Sequence, residues 1–589
     1  MKTSRLTITL LTALFALTAC GGGGNKPEPE PQPEPEPGPS EQVTVTLDQT
    51  EASVAEGETL TLVASSSDAE ATFTWSSSNE EVATVVDGVV TAVKTGTATI
   101  TATRVGGTEK AECVVTVVGD YFIQEDTEIL VQTTFNDTYG EIFKTAIANL
   151  KKKEPKLTVK YDKYSGSYTD LKNAVIQGVP ADNYADVVAA YPDSVADFIN
   201  AGVHMKMDKY MSNSEYGWTA EERADFYDMY IEEGQSYSIP GTYSLPIAKS
   251  TEAMYYDYNK IIGLDLSKVD PTINNGEPIS EAYVNSLTWD ELFNKFAPAL
   301  LAYRETIVSS SGDPEKTAAL RKAFLDTETY SDWAVVGYDS DDNLFITLAE
   351  QYGYGYTSVN QNTGAGKVEF VNDGMKNLIK QFNVAYKNKY ITTKGIIGTN
   401  VNYRSNDDAM LFSIGSTGGV NYQFKSENPK KVGVARIPQA AGKEVKLIQQ
   451  GPSLAFLNHP KAANKDVRGL ASWLFYKELT SVKNQIAWST VTGYSPIRLS
   501  VSESDEYLYY SDPNEYSEKT LDRLKAVNAQ YVSDTSEFLF TSPVFKGSSE
   551  ARTQVAGIVT EGVGAAELTD EKLNSLFETA ANNASLKMK

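Results

Sequence analysis

Histidine and cysteine are nearly absent, with two of each in 589 residues. Zinc draws on imidazole and thiolate, so His204 and His459, with no cysteine pair to join them, leave a zinc centre almost no ligands. No metal or cofactor site is expected. Cys20 and Cys113 stand in such different contexts that a disulfide between them is not expected either. The chain has no HExxH, no GxSxG elbow and no Walker loop, which removes the readable signatures of metalloprotease, α/β-hydrolase and P-loop chemistry. Positive charge is scarce too: 78 acidic residues against 52 basic give a formal charge of −26. Phosphate backbones need a basic surface, so nucleic acid is excluded as a partner. Long apolar runs are missing beyond the first residues, and nothing reaches the roughly eighteen residues that span a bilayer.

What is present falls into four textures, and 589 residues leave room for roughly three to four domains. Lys2 and Arg5 precede an apolar run from Leu6 to Leu17, followed by Leu17-Thr18-Ala19-Cys20. This is the layout of an export signal. The LTAC phrase resembles the bacterial lipoprotein box, which implies removal of residues 1–19 and lipid on the thiol and amine of Cys20. An ordinary secretory signal with an incidental cysteine is the alternative. Gly21 to Gly24 and the alternating Pro and Glu of Lys26 to Pro39 make residues 20–41 a linker. Proline keeps such a chain extended at roughly 3 Å per residue and repelling glutamates stiffen it, so its function is reach.

From residue 42 to 119 short alternating strands follow, among them Val43–Leu47, Thr59–Val63, Thr72–Trp75, Val89–Val93, Thr97–Thr101 and Cys113–Val117. Turns at Glu56-Gly57, Asp87-Gly88, Thr95-Gly96 and Gly106-Gly107 separate them, the spacing of an all-β sandwich. The run TWSSSNEEVATVVDGVVTAVKTGTATITAT resembles the bacterial Ig-like group 2 module, with Trp75 as its core tryptophan. Cys113 reads as a small core residue. No aromatic patch or charge cluster marks a binding face, so the module reads as a stalk, with adhesion as the alternative.

Residues 120–589 read as α/β. Glu128–Gln132, Leu157–Tyr161 and Asp186–Ala190 are strands, separated by helices over Glu141–Lys152 and around Leu171–Gln177. Right-handed crossovers make such strands parallel, and ligands sit off their carboxyl ends. Those ends are Thr134–Asp137, Ser165–Tyr168 and Tyr191–Ser194. Later come LPIAKSTEAMYYDYNK over Leu245–Lys260, Thr288-Trp289-Asp290-Glu291-Leu292 with the form of a capping box, and Asp407-Asp408-Ala409-Met410 before Ser413–Gly419. A returning strand follows at Lys431–Pro438. Finally a strand at Leu454–Leu457, one helix carrying Val467, Ala471, Leu474, Phe475, Val482 and Ile486, and a loop Thr492-Gly493-Tyr494-Ser495-Pro496 close the series.

In this order the phrases resemble the extracellular solute-binding proteins of ABC importers, of the maltose and glycerol-3-phosphate type. The resemblance implies a two-lobe, type II periplasmic-binding-protein-like fold behind the sandwich, a small polar solute held between the lobes, and an ABC permease in the membrane as partner. Carried over residue by residue, it implies ligand contacts at Tyr168, Asp193, Ser250, Ser416, Gly451, Tyr494 and Arg552. Asp193 is shifted by Pro192 from the family's acidic position, and the gap before Arg552 is one residue short. An arginine fork and hydroxyls suit a phosphate, whereas tyrosines suit the face of a sugar. Trp218, Trp333, Tyr338 and Tyr352–Tyr356 add to the second reading. Lobe crossings are expected near Tyr243–Thr251, Asn428–Val432 and Leu479–Val482, and the stretch Gly312–Tyr330 is an insertion of unassigned role. Two other classes stay open: a glycoside hydrolase hidden among the many carboxylates, and a surface glycan-binding adhesin.

Overall fold

The computed structural model describes residues 43–119, 121–306, 313–360, 363–402 and 409–588. The signal and linker spans 1–19 and 20–41, Cys20, Asp407, Asp408 and Gly312 lie outside them. Contacts divide the chain into two units that meet at Gly119 and Asp120.

In the first unit, strands Glu51–Ala55, Lys110–Val118, Gly96–Arg104 and Phe73–Ser77 form one sheet in that spatial order. Thr59–Thr61, Val89–Ala92 and Ala83–Val86 form a second, and Val45–Leu47 pairs with Ala64–Ser66. Alternation along Gly96–Arg104 turns Ala98, Ile100 and Ala102 inward, where Cys113 is also fully buried. Trp75 is half-buried at the rim of this core rather than inside it. The Asp87-Gly88 turn has a steric reason. Gly88 has φ +83°, and a Cβ there would stand 2.6 Å from the Leu62 carbonyl oxygen and 3.0 Å from the Trp75 ring. Three strands escape the alternation pattern: Glu51–Ala55 and Ala64–Ser66 are short and rich in Glu, Ala and Ser, which have weak strand preference, and Ala83–Val86, though rich in Thr and Val, is only four residues long.

The second unit is a pair of α/β lobes. The first lobe's sheet runs Leu157–Lys163, Thr127–Thr133, Val187–Ala190, Ser453–Phe456, Ser244–Pro246. Its first three strands are parallel, as the crossovers require; Ser453–Phe456 runs antiparallel to both its neighbours, so Ser244–Pro246 points the same way as the first three. Val187–Ala190 is buried throughout, which is why it reads as a continuous apolar run. The helix Asp137–Lys153 is capped by Asn136 and ends in three lysines that complement its dipole. The second lobe's sheet runs Ile391–Thr393, Ala334–Tyr338, Met410–Ser416, Glu252–Asp257, Val432–Ala435.

The chain crosses between lobes where Ser244–Pro246 leads into Glu252–Asp257, as expected, and again where Leu447–Ile448 leads into Ser453–Phe456. A third crossing separates the helix Asp505–Ser511, packed on the first lobe, from Leu521–Thr535, packed on the strand Val432–Ala435. The expected crossings at Asn428–Val432 and Leu479–Val482 are instead turns within one lobe. The second is a break that splits the expected single helix into Lys465–Leu479 and Val482–Thr492. A change of direction at polar residues looks the same along the chain whether or not it changes lobe. The capping box at Thr288 is half formed: Thr288 accepts from the Glu291 amide, but the Glu291 carboxylate takes the Tyr283 hydroxyl instead. The 312–330 stretch carries the helix Pro314–Phe324, and buried Arg304 ties it to the second lobe through the Leu325 carbonyl and Thr327.

Candidate functional site

Between the two lobes lies a cavity of about 660 Å³. Its first-lobe wall is built from strand ends. Ser167 and Tyr168 follow Leu157–Lys163, and Tyr191 and Asp193 follow Val187–Ala190. Ser167 caps the next helix with a reciprocal box to Asp170, and Pro192 opens the one after, so both loops are held rigid at their helix starts. The second lobe supplies Ser340, Asp342 and Asn343, at the carboxyl end of Ala334–Tyr338, together with Lys394 and Arg552. Gln449, Gln450 and Gly451 enter from a crossing segment.

Tyr168 and Tyr191 pack edge to face with ring centroids 5.0 Å apart. Burial raises both phenols, Tyr191 to about 12, so they stay neutral hydrogen-bonding groups at physiological pH. Arg552 is engaged on both sides. Its Nε donates to Asp342 Oδ2 at 3.0 Å, Nη2 lies 2.8 Å from the same oxygen and donates to Asn343 Oδ1, and Nε stands 3.5 Å from Asp193 Oδ2 in the other lobe. Burial disfavours charge on Asp342, but the Arg552 charge and hydrogen bonds from Ser340 and the Asn343 amide outweigh it and hold the carboxyl low. Burial wins at Asp193 and pushes its carboxyl up, since Arg552 offsets it only in part. Arg552 itself is held firmly protonated: burial opposes its charge, and Asp342 and Asp193 overcome that.

The other charges of the lining are also matched. Glu233 forms a buried ion pair with Lys249, which donates to Ser453 Oγ at 2.9 Å, while Gln449 donates to Glu233 at 2.8 Å. Lys394 lies 3.6 Å from Asp339. Behind the wall, Glu252 takes the Tyr338 hydroxyl and the Asn343 side-chain amide, and burial pushes its carboxyl up to about 7. Among the described residues no group of three His, Cys, Asp or Glu is arranged to hold a metal ion.

Of the residues singled out in the sequence, Tyr168, Asp193, Gly451 and Arg552 meet in the lining. Gly451 has a backbone reason to be glycine: φ is +95°, and a Cβ would fall 1.8 Å from the Ala248 carbonyl oxygen where two crossing segments touch. Ser250 and Ser416 stand outside the lining. They bond each other at 3.1 Å, and Ser250 bridges to Gln450, so they knit the crossing segments together. Tyr494 is outside it as well. It stacks on Trp488 at 6.0 Å and presses on Gly418 of the other lobe, where a Cβ would stand 2.4 Å from the ring. Its phenol is raised by burial and by nearby Tyr168 and Tyr191. Trp218, Trp333, Tyr338, Tyr352, Tyr354 and Tyr356 are likewise not among the lining residues; Trp218 packs on Trp473 and Phe226, and Tyr338 is fully buried. Glu233, Asp342, Asn343, Lys394, Gln449 and Gln450 were missed. The strand-end rule, applied to AVVGYDSDDN as it was to the first three strands, would have found Asp342 and Asn343.

Residues 145–514 match the family model described as bacterial extracellular solute-binding protein, and residues 43–115 match that of the bacterial Ig-like domain (group 2). A search of the curated proteins gives no match. Among solved structures, UgpB from Mycobacterium tuberculosis in complex with glycerophosphocholine aligns at 14% identity and TM-score 0.55, over 78% of this chain and 98% of its own. The sugar-binding protein MalE from Xanthomonas citri aligns at 14% and 0.53, over 78% and 98%. The cyclic alpha-maltosyl-1,6-maltose binding protein from Arthrobacter globiformis aligns at 13% and 0.51, over 79% and 99%. At such identities the shared property is the two-lobe fold.

Proposed function

We propose, from the premise that the chain belongs to the bacterial extracellular solute-binding proteins, that it captures an uncharged carbohydrate between its lobes and delivers it to an ABC permease. The observation that carries the choice of ligand is the state of Arg552. Its guanidinium already faces two carboxylates, and Lys394 and Lys249 have acidic partners as well. What the lining offers is a set of hydroxyl, amide and carboxylate groups beside the edge-to-face pair Tyr168 and Tyr191, the mixture that suits sugar hydroxyls and sugar faces. Two of the similar structures bind sugars by their names, which agrees with this reading. The glycerol-3-phosphate alternative requires the phosphate to displace Asp342 from its fork. Calorimetric titration with maltotriose and with glycerol 3-phosphate tests the choice: binding of the phosphate alone would refute it.

Anchoring belongs to the same proposal. Lipid on Cys20, after removal of residues 1–19, holds the protein at the outer face of the membrane, and residues 20–41 with the Ig-like unit act as the stalk. No helix among the described residues is long and apolar enough to cross a membrane. Cys20→Ser is therefore expected to move the protein from the membrane fraction to the medium. Catalysis is not part of the function. A glycoside hydrolase sets two carboxyl groups across the scissile bond, whereas Asp193 and Asp342 here converge on one guanidinium. An adhesin would bind a polymer without needing a permease, and growth of a permease deletion strain on the captured sugar separates that case.

A further inference from the structure

We infer that Asp342 and Asp193 determine the specificity of the cavity by keeping Arg552 neutralised from both lobes, so that the site accepts uncharged solutes and refuses phosphates. The inference rests on the carbohydrate reading above and goes further, since it names the residues that exclude the competing ligand class. A buried-side arginine is ordinarily the strongest attractor for a phosphate, because its planar fork matches two oxygens at once. Here the same Nε and Nη2 are taken by Asp342 at 3.0 and 2.8 Å.

Asp342 is itself fixed. It sits in the first turn of the helix Asp341–Tyr352, and Ser340 Oγ donates to its Oδ1 at 2.5 Å. Asn343, the second acceptor of Arg552, is held in turn by its amide at 3.3 Å from Glu252 Oε1. Neither acceptor can swing away without breaking a bond behind it. Asp193 approaches from the opposite lobe at 3.5 Å, so the arginine meets negative charge from the side on which a ligand would be clasped. An incoming phosphate would lose two donors and face two carboxylates. Discrimination of this kind comes from a built-in repulsive element rather than from better contacts to the preferred ligand.

The experiment is to turn the site into an anion receptor. Asp193→Asn with Asp342→Asn keeps the size and hydrogen-bonding shape of both side chains and removes their charge. Binding of glycerol 3-phosphate and inorganic phosphate is titrated by calorimetry in the full-length protein, beside maltotriose. The double variant should bind glycerol 3-phosphate on the order of ten- to a hundredfold more tightly than the wild type. Adding Arg552→Gln should abolish the gain. A folded double variant with no gain, or a wild type that binds glycerol 3-phosphate as tightly as the variant, overturns the inference. If the double variant fails to unfold cooperatively on heating, Asp193→Asn alone carries the test, with a smaller gain expected because its contact is the longer one; no gain there also overturns it. The maltotriose arm separates the two readings. Sugar binding by the wild type without an anion gain in the variant defeats this inference alone, and an anion gain without any sugar binding defeats the carbohydrate reading alone.

Discussion

The β-sandwich of residues 45–118 and the two-lobed unit behind it bury different things. Among the described residues of the sandwich, every buried position is apolar or glycine, from Val54 through Ile100 to Val117. The two-lobed unit buries as many kinds of apolar side chain and, in addition, Asp186, Glu233, Lys249, Glu252, Arg304 and Asp341. Removing an ionised group from water costs several kcal/mol unless partners replace the water. Among its described residues the sandwich buries no such groups. A receptor must hold polar groups ready at fixed positions, and three of those named gather where the lobes face each other: Glu233 with Lys249 on one side, Glu252 behind Asn343 on the other.

The contrast breaks most visibly at Lys249. Lys249→Met strands Glu233 without its cation, and urea unfolding should show a loss of about 3–5 kcal/mol. Combining it with Glu233→Gln should recover most of that loss. A single-variant effect below about 1 kcal/mol would mean that the buried ion pair is as dispensable as a surface one.

Next in size is a dependence on pH that the sandwich has no buried carboxylate to produce. Glu252 has its carboxyl raised from 4.5 to about 7 in the folded protein. The folded state therefore binds the proton more tightly, and the stability this contributes is complete below pH 4.5 and lost as pH rises through about 7. The expected loss is on the order of 3 kcal/mol. Glu252→Gln should flatten that slope in denaturation midpoints taken from pH 4.5 to 8, and an unchanged slope would assign it to another group.

Within the sandwich, Cys113→Ser places a hydroxyl in the apolar core and should cost that unit about 1–3 kcal/mol. Because contacts separate the units, maltotriose affinity should stay at the wild-type value. A shift in affinity would show that the two units are coupled. The smallest effect belongs to the lining. Tyr168→Ala should weaken maltotriose binding by about 0.5–1.5 kcal/mol, read by calorimetry, since one ring face is removed while Tyr191 remains. No change would move the sugar away from this pair.

Much of the architecture was legible because its causes are local. The strand and helix alternation from Thr127 to Ala190 follows side-chain period, and the strand-end rule leads from it directly to Tyr168 and Asp193. Legibility failed where the answer depended on a distant partner. Ser250, Ser416 and Tyr494 lie close to the cavity yet turn to each other, to Gln450 and to Trp488. Thr480-Ser481 reads like a crossing and is a bend inside one lobe.

By itself the sequence determined the division into a sandwich and an α/β receptor and the parallel strands that open the first lobe. These follow from backbone sterics and from the period of burial, which act between residues a few positions apart. Only the tertiary structure decided what Arg552 is for. Asp342 is 210 positions away along the chain and 2.8 Å away in space. Electrostatic energy depends on the second distance alone, so an arginine that reads as a phosphate ligand becomes, once folded, the shared counter-charge of two carboxylates.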